Sequence, residues 1–185
     1  MRKSTRSFSR TAASSLAVAA LALVGFQATG QTASAASTTA TAKASSIATC
    51  TTANTKVTVS TVSRPINHLL LKATNTGSKP CYAYSAPFLR AGADAQAPLQ
   101  WVEDSTPQSV LMLEPGQSAY AGILTYSPDG EGGSLAKNLG VLFTDRNGGA
   151  TATEKSLKLP GSGVFFNSAA AVTYWQDNAA DALVW

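Results

Sequence analysis

The sequence predicts an all-β domain, an antiparallel β-sandwich, behind an export leader. Three observations predict it. Short alternating stretches of apolar and polar residues recur, and within the domain no 3.6-residue apolar period is sustained over about 12 residues. Clusters of Gly, Pro, Asn and Asp separate these stretches, as turns between strands do. Many short strands in one domain of this length favour a sandwich over a barrel.

Residues 1–35 read as a secretory signal peptide, a disordered leader. Arg2, Lys3, Arg6 and Arg10 form a positive region, and an apolar run extends from Leu16 to Phe26. Ala33, Ser34 and Ala35 supply the small residues a signal peptidase needs. The run is 11 residues long, about half of the ~20 a membrane-spanning helix requires. No twin-arginine pair and no Cys at the cleavage point is present, so a free, secreted, extracellular product is expected, with no membrane insertion after cleavage. The leader holds four of the chain's 14 basic residues and none of its 10 acidic ones, which leaves ten of each. The basic character therefore belongs to the leader, and a nucleic-acid reading built on it would be an error.

Residues 36–49 are a flexible linker rich in Ser, Thr and Ala, a composition that cannot bury a core. Residues 50–185 form the sandwich domain. Its cysteines are Cys50 and Cys81, and outside the cytoplasm an even pair reads as a disulfide.

The strands follow in order. Lys56 to Ser63 places Val57 and Val59 on one face. Asn67 to Ala73 places Leu69, Leu71 and Ala73 together, opposite His68, Leu70 and Lys72. Asn75 to Pro80 is a turn rich in residues that tolerate unusual backbone angles. Cys81 to Arg90 is extended, with Pro87 demanding an edge or a bulge. Leu99 to Val102 surrounds Trp101, and Ser109 to Leu113 follows. Glu114-Pro115-Gly116-Gln117 fits a type II turn and predicts a hairpin to a strand at Ser118 to Tyr126. Tyr126 to Ser134, with one Pro and three Gly, reads as a long mobile loop. Leu139 to Thr144, Ser156 to Leu159, Val164 to Phe166 and Ala171 to Trp175 complete the sheets. The tail from Asn178 to Trp185 fits a short helix or a final strand.

The stretch Leu71 to Cys81, with its N-T-G-S-x-P-C element, and the block Leu113-x-Pro115-Gly116-x-Ser118-Ala119 resemble a family of exported actinobacterial proteins known as domain of unknown function 4232. The resemblance runs from Cys50 to about Trp175. It implies an immunoglobulin-like β-sandwich and export. It implies no known activity, so no functional residue is carried over.

The residues themselves offer little chemistry. His68, the one histidine, lies mid-strand and reads as solvent-facing, and no nucleophile stands in a catalytic pattern around it. Among the acidic pairs, Glu103-Asp104 would point to opposite faces, Asp129 and Glu131 lie in a Gly-rich loop, and Asp177 and Asp181 align only if a helix forms. No cluster of Cys, His and acids suggests zinc or another metal, and no cofactor is expected. Aromatics are the remaining signal. Tyr82 and Tyr84, two apart on one face, and Trp101 are the candidate ligand contacts. The expectation is a monomeric, non-catalytic domain that binds a protein or polysaccharide of the cell envelope or medium. Its rivals are a secreted hydrolase whose carboxylates meet in the fold, and a protease-inhibitor-like structural protein presenting the Tyr126–Ser134 loop. Mass spectrometry of the culture medium should find a mature N-terminus at Ala36 or Ser37; an intact Met1 form recovered from membranes would refute cleavage.

Overall fold

Alternation along the chain is expressed as sheet in the computed structural model, which describes residues 46–185. The leader and most of the linker lie outside the described residues. The strands are β1 (Ala48–Thr49), β2 (Thr55–Thr61), β3 (His68–Asn75), β4 (Cys81–Ala91), β5 (Gln100–Val102), β6 (Leu111–Leu113), β7 (Ser118–Leu124), β8 (Ser134–Ala136), β9 (Asn138–Thr144), β10 (Lys155–Lys158), β11 (Val164–Phe166) and β12 (Ala171–Thr173). Two 3₁₀ turns, Glu103–Ser105 and Asp181–Leu183, are the helical elements among the described residues. The domain is all-β.

One five-stranded sheet runs β1-β4-β9-β10, with β6 also beside β4; the other runs β2-β3-β7-β12-β5; β8 and β11 form a two-stranded sheet. The pairing is mainly antiparallel, as expected, with two exceptions. Strand β1 pairs with β4 and β5 with β12 in parallel. Both exceptions are short edge strands delivered by long connections rather than by hairpins. Strand β1 also lies within the stretch read as linker, so ordered structure begins before Cys50.

Both large sheets turn their apolar faces into one core. Leu69, Leu71 and Ala73 of β3 are buried together, as their spacing predicts. From β7 come Ala119, Ala121 and Ile123, and from the other sheet Leu89, Leu139, Val141 and Phe143. Each buried large apolar side chain contributes about 1.5–3 kcal/mol. Trp175, just beyond β12, stacks on Phe143 of β9 with ring centroids 5.3 Å apart. Its indole N–H is buried without a partner among the described residues. That costs about 1–3 kcal/mol, set against the about 3–5 kcal/mol that a buried Trp contributes over Ala.

The predicted hairpin does not form. The turn itself does: Gln117 N donates to Glu114 O at 2.9 Å, and Gly116 takes the positive φ of 85° that its position requires. But β6 pairs with β4 and β7 pairs with β3. The turn is a corner between sheets. The reason is Asn75, which is 1 % exposed. Its backbone N donates to Gln117 O and its O accepts from Gly116 N, at 2.9 and 2.8 Å. Its side-chain Nδ2 donates to Leu113 O at 2.8 Å and to Lys79 O at 2.9 Å. Its Oδ1 accepts from Gly77 N at 2.9 Å. Groups that could continue a β6–β7 ladder are thus held by the end of β3.

Pro87 sits where β4 changes register between Tyr84 and Phe88, the bulge its ring demands. The Tyr126–Ser134 region is a loop, but not a free-standing one. Asn167 Nδ2 donates to Ser127 O at 2.8 Å, and Glu131 N donates to Ser168 Oγ at 2.8 Å. The C-terminal segment takes the helical option, a single 3₁₀ turn beside β7. Gly122 admits it, because a Cβ there would collide with the carbonyl oxygen of Ala182. His68, read as solvent-facing, is half-covered by the Trp185 ring at 5.5 Å.

Cys50 and Cys81 are bonded, 31 residues apart in sequence, and both are buried. Closing a loop of that length stabilises the fold by about 3–4 kcal/mol. Replacing Cys81 by Ser should therefore lower the melting temperature clearly in a thermal scan, and an unchanged melt would mean the sulfurs are not joined. Asn75→Ala removes the bonds to Leu113 O, Lys79 O and from Gly77 N, and orphans the buried Leu113 carbonyl at about 1–3 kcal/mol. The expected loss is about 2–4 kcal/mol in urea unfolding, and a loss below about 0.5 kcal/mol would show that the corner does not depend on this side chain.

Candidate functional site

The bulge in β4 frees three consecutive backbone carbonyls, and each finds a new donor. Ser85 O accepts from Trp175 N at 3.0 Å. Ala86 O accepts from the Thr144 hydroxyl. Pro87 O accepts from the Trp101 indole Nε1 at 3.2 Å. The third bond joins an edge strand of one sheet, β5, to the bulge of the other. Leu99 N, donating to Leu89 O at 2.8 Å, reinforces the junction.

Around this junction an aromatic cluster forms. Phe88 and Trp101 lie 4.9 Å apart, inclined at 48°. Trp101 meets Tyr174 edge-on, 5.8 Å apart and at 68°. All three rings are half-buried. Tyr174 OH donates to Glu103 Oε2 at 2.8 Å. Burial pushes the Tyr174 phenol above its ordinary pKa, and the hydrogen bond to Glu103 adds to the rise. The 3₁₀ turn carrying Glu103 is stapled down: Tyr174 N donates to Ser105 Oγ at 2.9 Å and Gln176 Nε2 to Ser105 O at 2.6 Å. A groove of about 440 Å³ opens here, lined by Phe88, Pro98, Leu99, Gln100, Trp101 and Glu103, with Ala97 at its rim. That volume falls within the ~300–1,000 Å³ of small-ligand sites.

Trp101, one of the three sequence candidates, lines this groove. Tyr82 and Tyr84 do not. They stand side by side on β4, 5.7 Å apart and inclined at 47°, away from the groove lining. Phe88 and Tyr174 were not candidates. In the sequence both read as aromatics in or beside strands. Only the pairing of β5 with β12, in which Val172 opposes Trp101, brings Tyr174 beside Trp101. Among the carboxylates considered, Glu103 alone lines the groove. Asp177 and Asp181 are bridged instead by Asn178 Nδ2, at 2.9 and 2.7 Å. Among the described residues no group of three or more His, Cys, Asp or Glu is placed to hold a metal, and no helix is long and apolar enough to cross a membrane.

These features define an all-β, disulfide-closed domain with an aromatic groove where its two large sheets meet. The chain belongs to the family described as Domain of unknown function (DUF4232), whose model matches residues 50–176. The matched stretch includes every residue of the groove and ends before the C-terminal 3₁₀ turn. No curated protein and no solved structure matches the chain.

Proposed function

We propose that this chain is an exported, monomeric β-sandwich of immunoglobulin-like type that works by non-covalent binding of a polysaccharide in the cell envelope or medium, without catalysis. The leader pattern and the disulfide, which suits an oxidising compartment, support export. The observation that carries the binding role is the half-buried Trp101 indole, pinned to Pro87 O and facing an open groove beside a carboxylate. An aromatic face with a polar edge suits a sugar ring, whose C–H face is apolar and whose rim carries hydroxyls. A single carboxylate in the groove suits recognition better than hydrolysis, which requires a pair flanking the bond. A protein partner is the second reading. It is favoured by exposed apolar side chains on the two-stranded sheet, Leu135 (57 % exposed) and Phe165 (42 %), with Tyr126 packed on Phe165.

Binding of the purified mature domain to wall polysaccharides, measured by calorimetry, tests the first reading. Trp101→Ala should weaken it at least about tenfold, or ~1.4 kcal/mol, while Tyr82→Ala leaves it unchanged. A reversed pattern would move the site to the β4 tyrosines.

A further inference from the structure

We propose that the Trp101 groove selects a protonated amino sugar, with Glu103 as the counter-ion of the ammonium group and the Phe88 and Trp101 rings as its apolar walls. This inference rests on the polysaccharide reading and names the sugar class.

Three observations carry it. First, the charge of the groove has one sign. Glu103 is its charged lining residue, and no Lys or Arg lines it. The adjoining depression, which shares Ala97 and Leu99, adds Asp94 and again no base. A groove with a carboxylate and no compensating cation favours a cationic ligand. Second, the carboxylate is held in place. Tyr174 OH donates to Oε2 at 2.8 Å, while Oε1 has no partner among the described residues. One oxygen is thus fixed by the protein and the other is free to accept from an ammonium, a charge-assisted bond. Third, the rings are inclined rather than coplanar, at 48° for Phe88 and Trp101. Inclined rings offer a poor platform for a flat run of sugars. Both rings line the groove, and aromatic faces attract a cation, with Trp the most favourable ring type. A glucosamine residue has both parts, an apolar pyranose face and an equatorial ammonium. N-acetylation removes the charge and adds bulk where Glu103 would need a donor.

The experiment compares oligomers of glucosamine and of N-acetylglucosamine, of equal length, by calorimetry with the mature domain in a buffer that keeps the free amine protonated. The glucosamine oligomer should bind about tenfold more tightly, and the preference should shrink as salt is raised. Glu103→Gln, nearly isosteric and exposed, should bring the two affinities to parity. A thermal melt matching the wild type verifies its fold. Equal binding of both oligomers by the wild type, or a preference that survives Glu103→Gln, overturns the amine selection and leaves the groove as a glycan site. Failure of both oligomers, with Trp101-dependent binding of a neutral wall glycan, has the same meaning. Absence of binding to every glycan tried overturns the underlying reading as well.

Discussion

Asn75 is the knot from which the rest of the domain can be traced. It ends β3 in one sheet, and its side chain grips Leu113 at the end of β6 in the other. An amide side chain suits the position because it carries two donors and an acceptor. Aspartate would present lone pairs to the same two carbonyls, and an aliphatic side chain would leave them dry. All five hydrogen bonds of Asn75 are short, and the group is buried, so each is worth more than it would be in water. The next residue extends the knot, with Thr76 N donating to Asn54 O at 2.9 Å. Six residues after Asn75 comes Cys81, where β4 begins and the disulfide closes. The corner and the crosslink therefore constrain the same short stretch of chain, one by hydrogen bonds in the native state and the other by limiting the unfolded one.

Strand β4 carries that constraint to the groove. Its first half lies between β1 and β6, and its second half lies against β9. Between the halves, Pro87 cannot donate to a ladder, and the strand bulges. A bulge leaves carbonyls unpaired, and here one is taken up by Thr144 of the neighbouring strand β9 and two across the sheet junction by Trp175 and Trp101. The groove is thus a consequence of the proline. The same local irregularity that interrupts one ladder supplies the acceptor that orients the indole.

Much of this fold can be read from alternation. Val57, Leu69, Leu71 and Ala73 are buried where a two-residue period puts them, and the strands from β2 to β4 fall within one or two residues of their expected ends. What could not be read has physical causes. Strands of two or three residues, such as β1 and β8, are too short to show a period. Partner choice is non-local: the Pro115-Gly116 turn is plain in the sequence, but the competition of Asn75 for its backbone groups is not. Residues two apart share a strand face, but that spacing does not fix the inclination of their rings, which for Tyr82 and Tyr84 is 47°. Trp101 was legible as a candidate because indoles with a polar edge are scarce. Its companions were not, since Phe88 and Tyr174 become neighbours only through a parallel edge pairing that no local pattern announces.

The balance of charge shapes what kind of recognition this domain can perform. Residues 36–185 carry ten bases against ten acids, a balance that gives them no large field to steer a charged polymer from afar. The exposed, bidentate pair of Arg90 with Glu154, at 2.9 and 3.0 Å, neutralises itself on the surface of the β4–β9 sheet. At physiological salt, charges beyond about 8 Å are screened, so the proposed recognition would rest on local groups. Glu103 is such a group. It lines the groove beside Trp101 and is oriented by Tyr174. In a domain of balanced charge, an oriented carboxylate in the groove would weigh more in the proposed recognition than it would on an acidic surface.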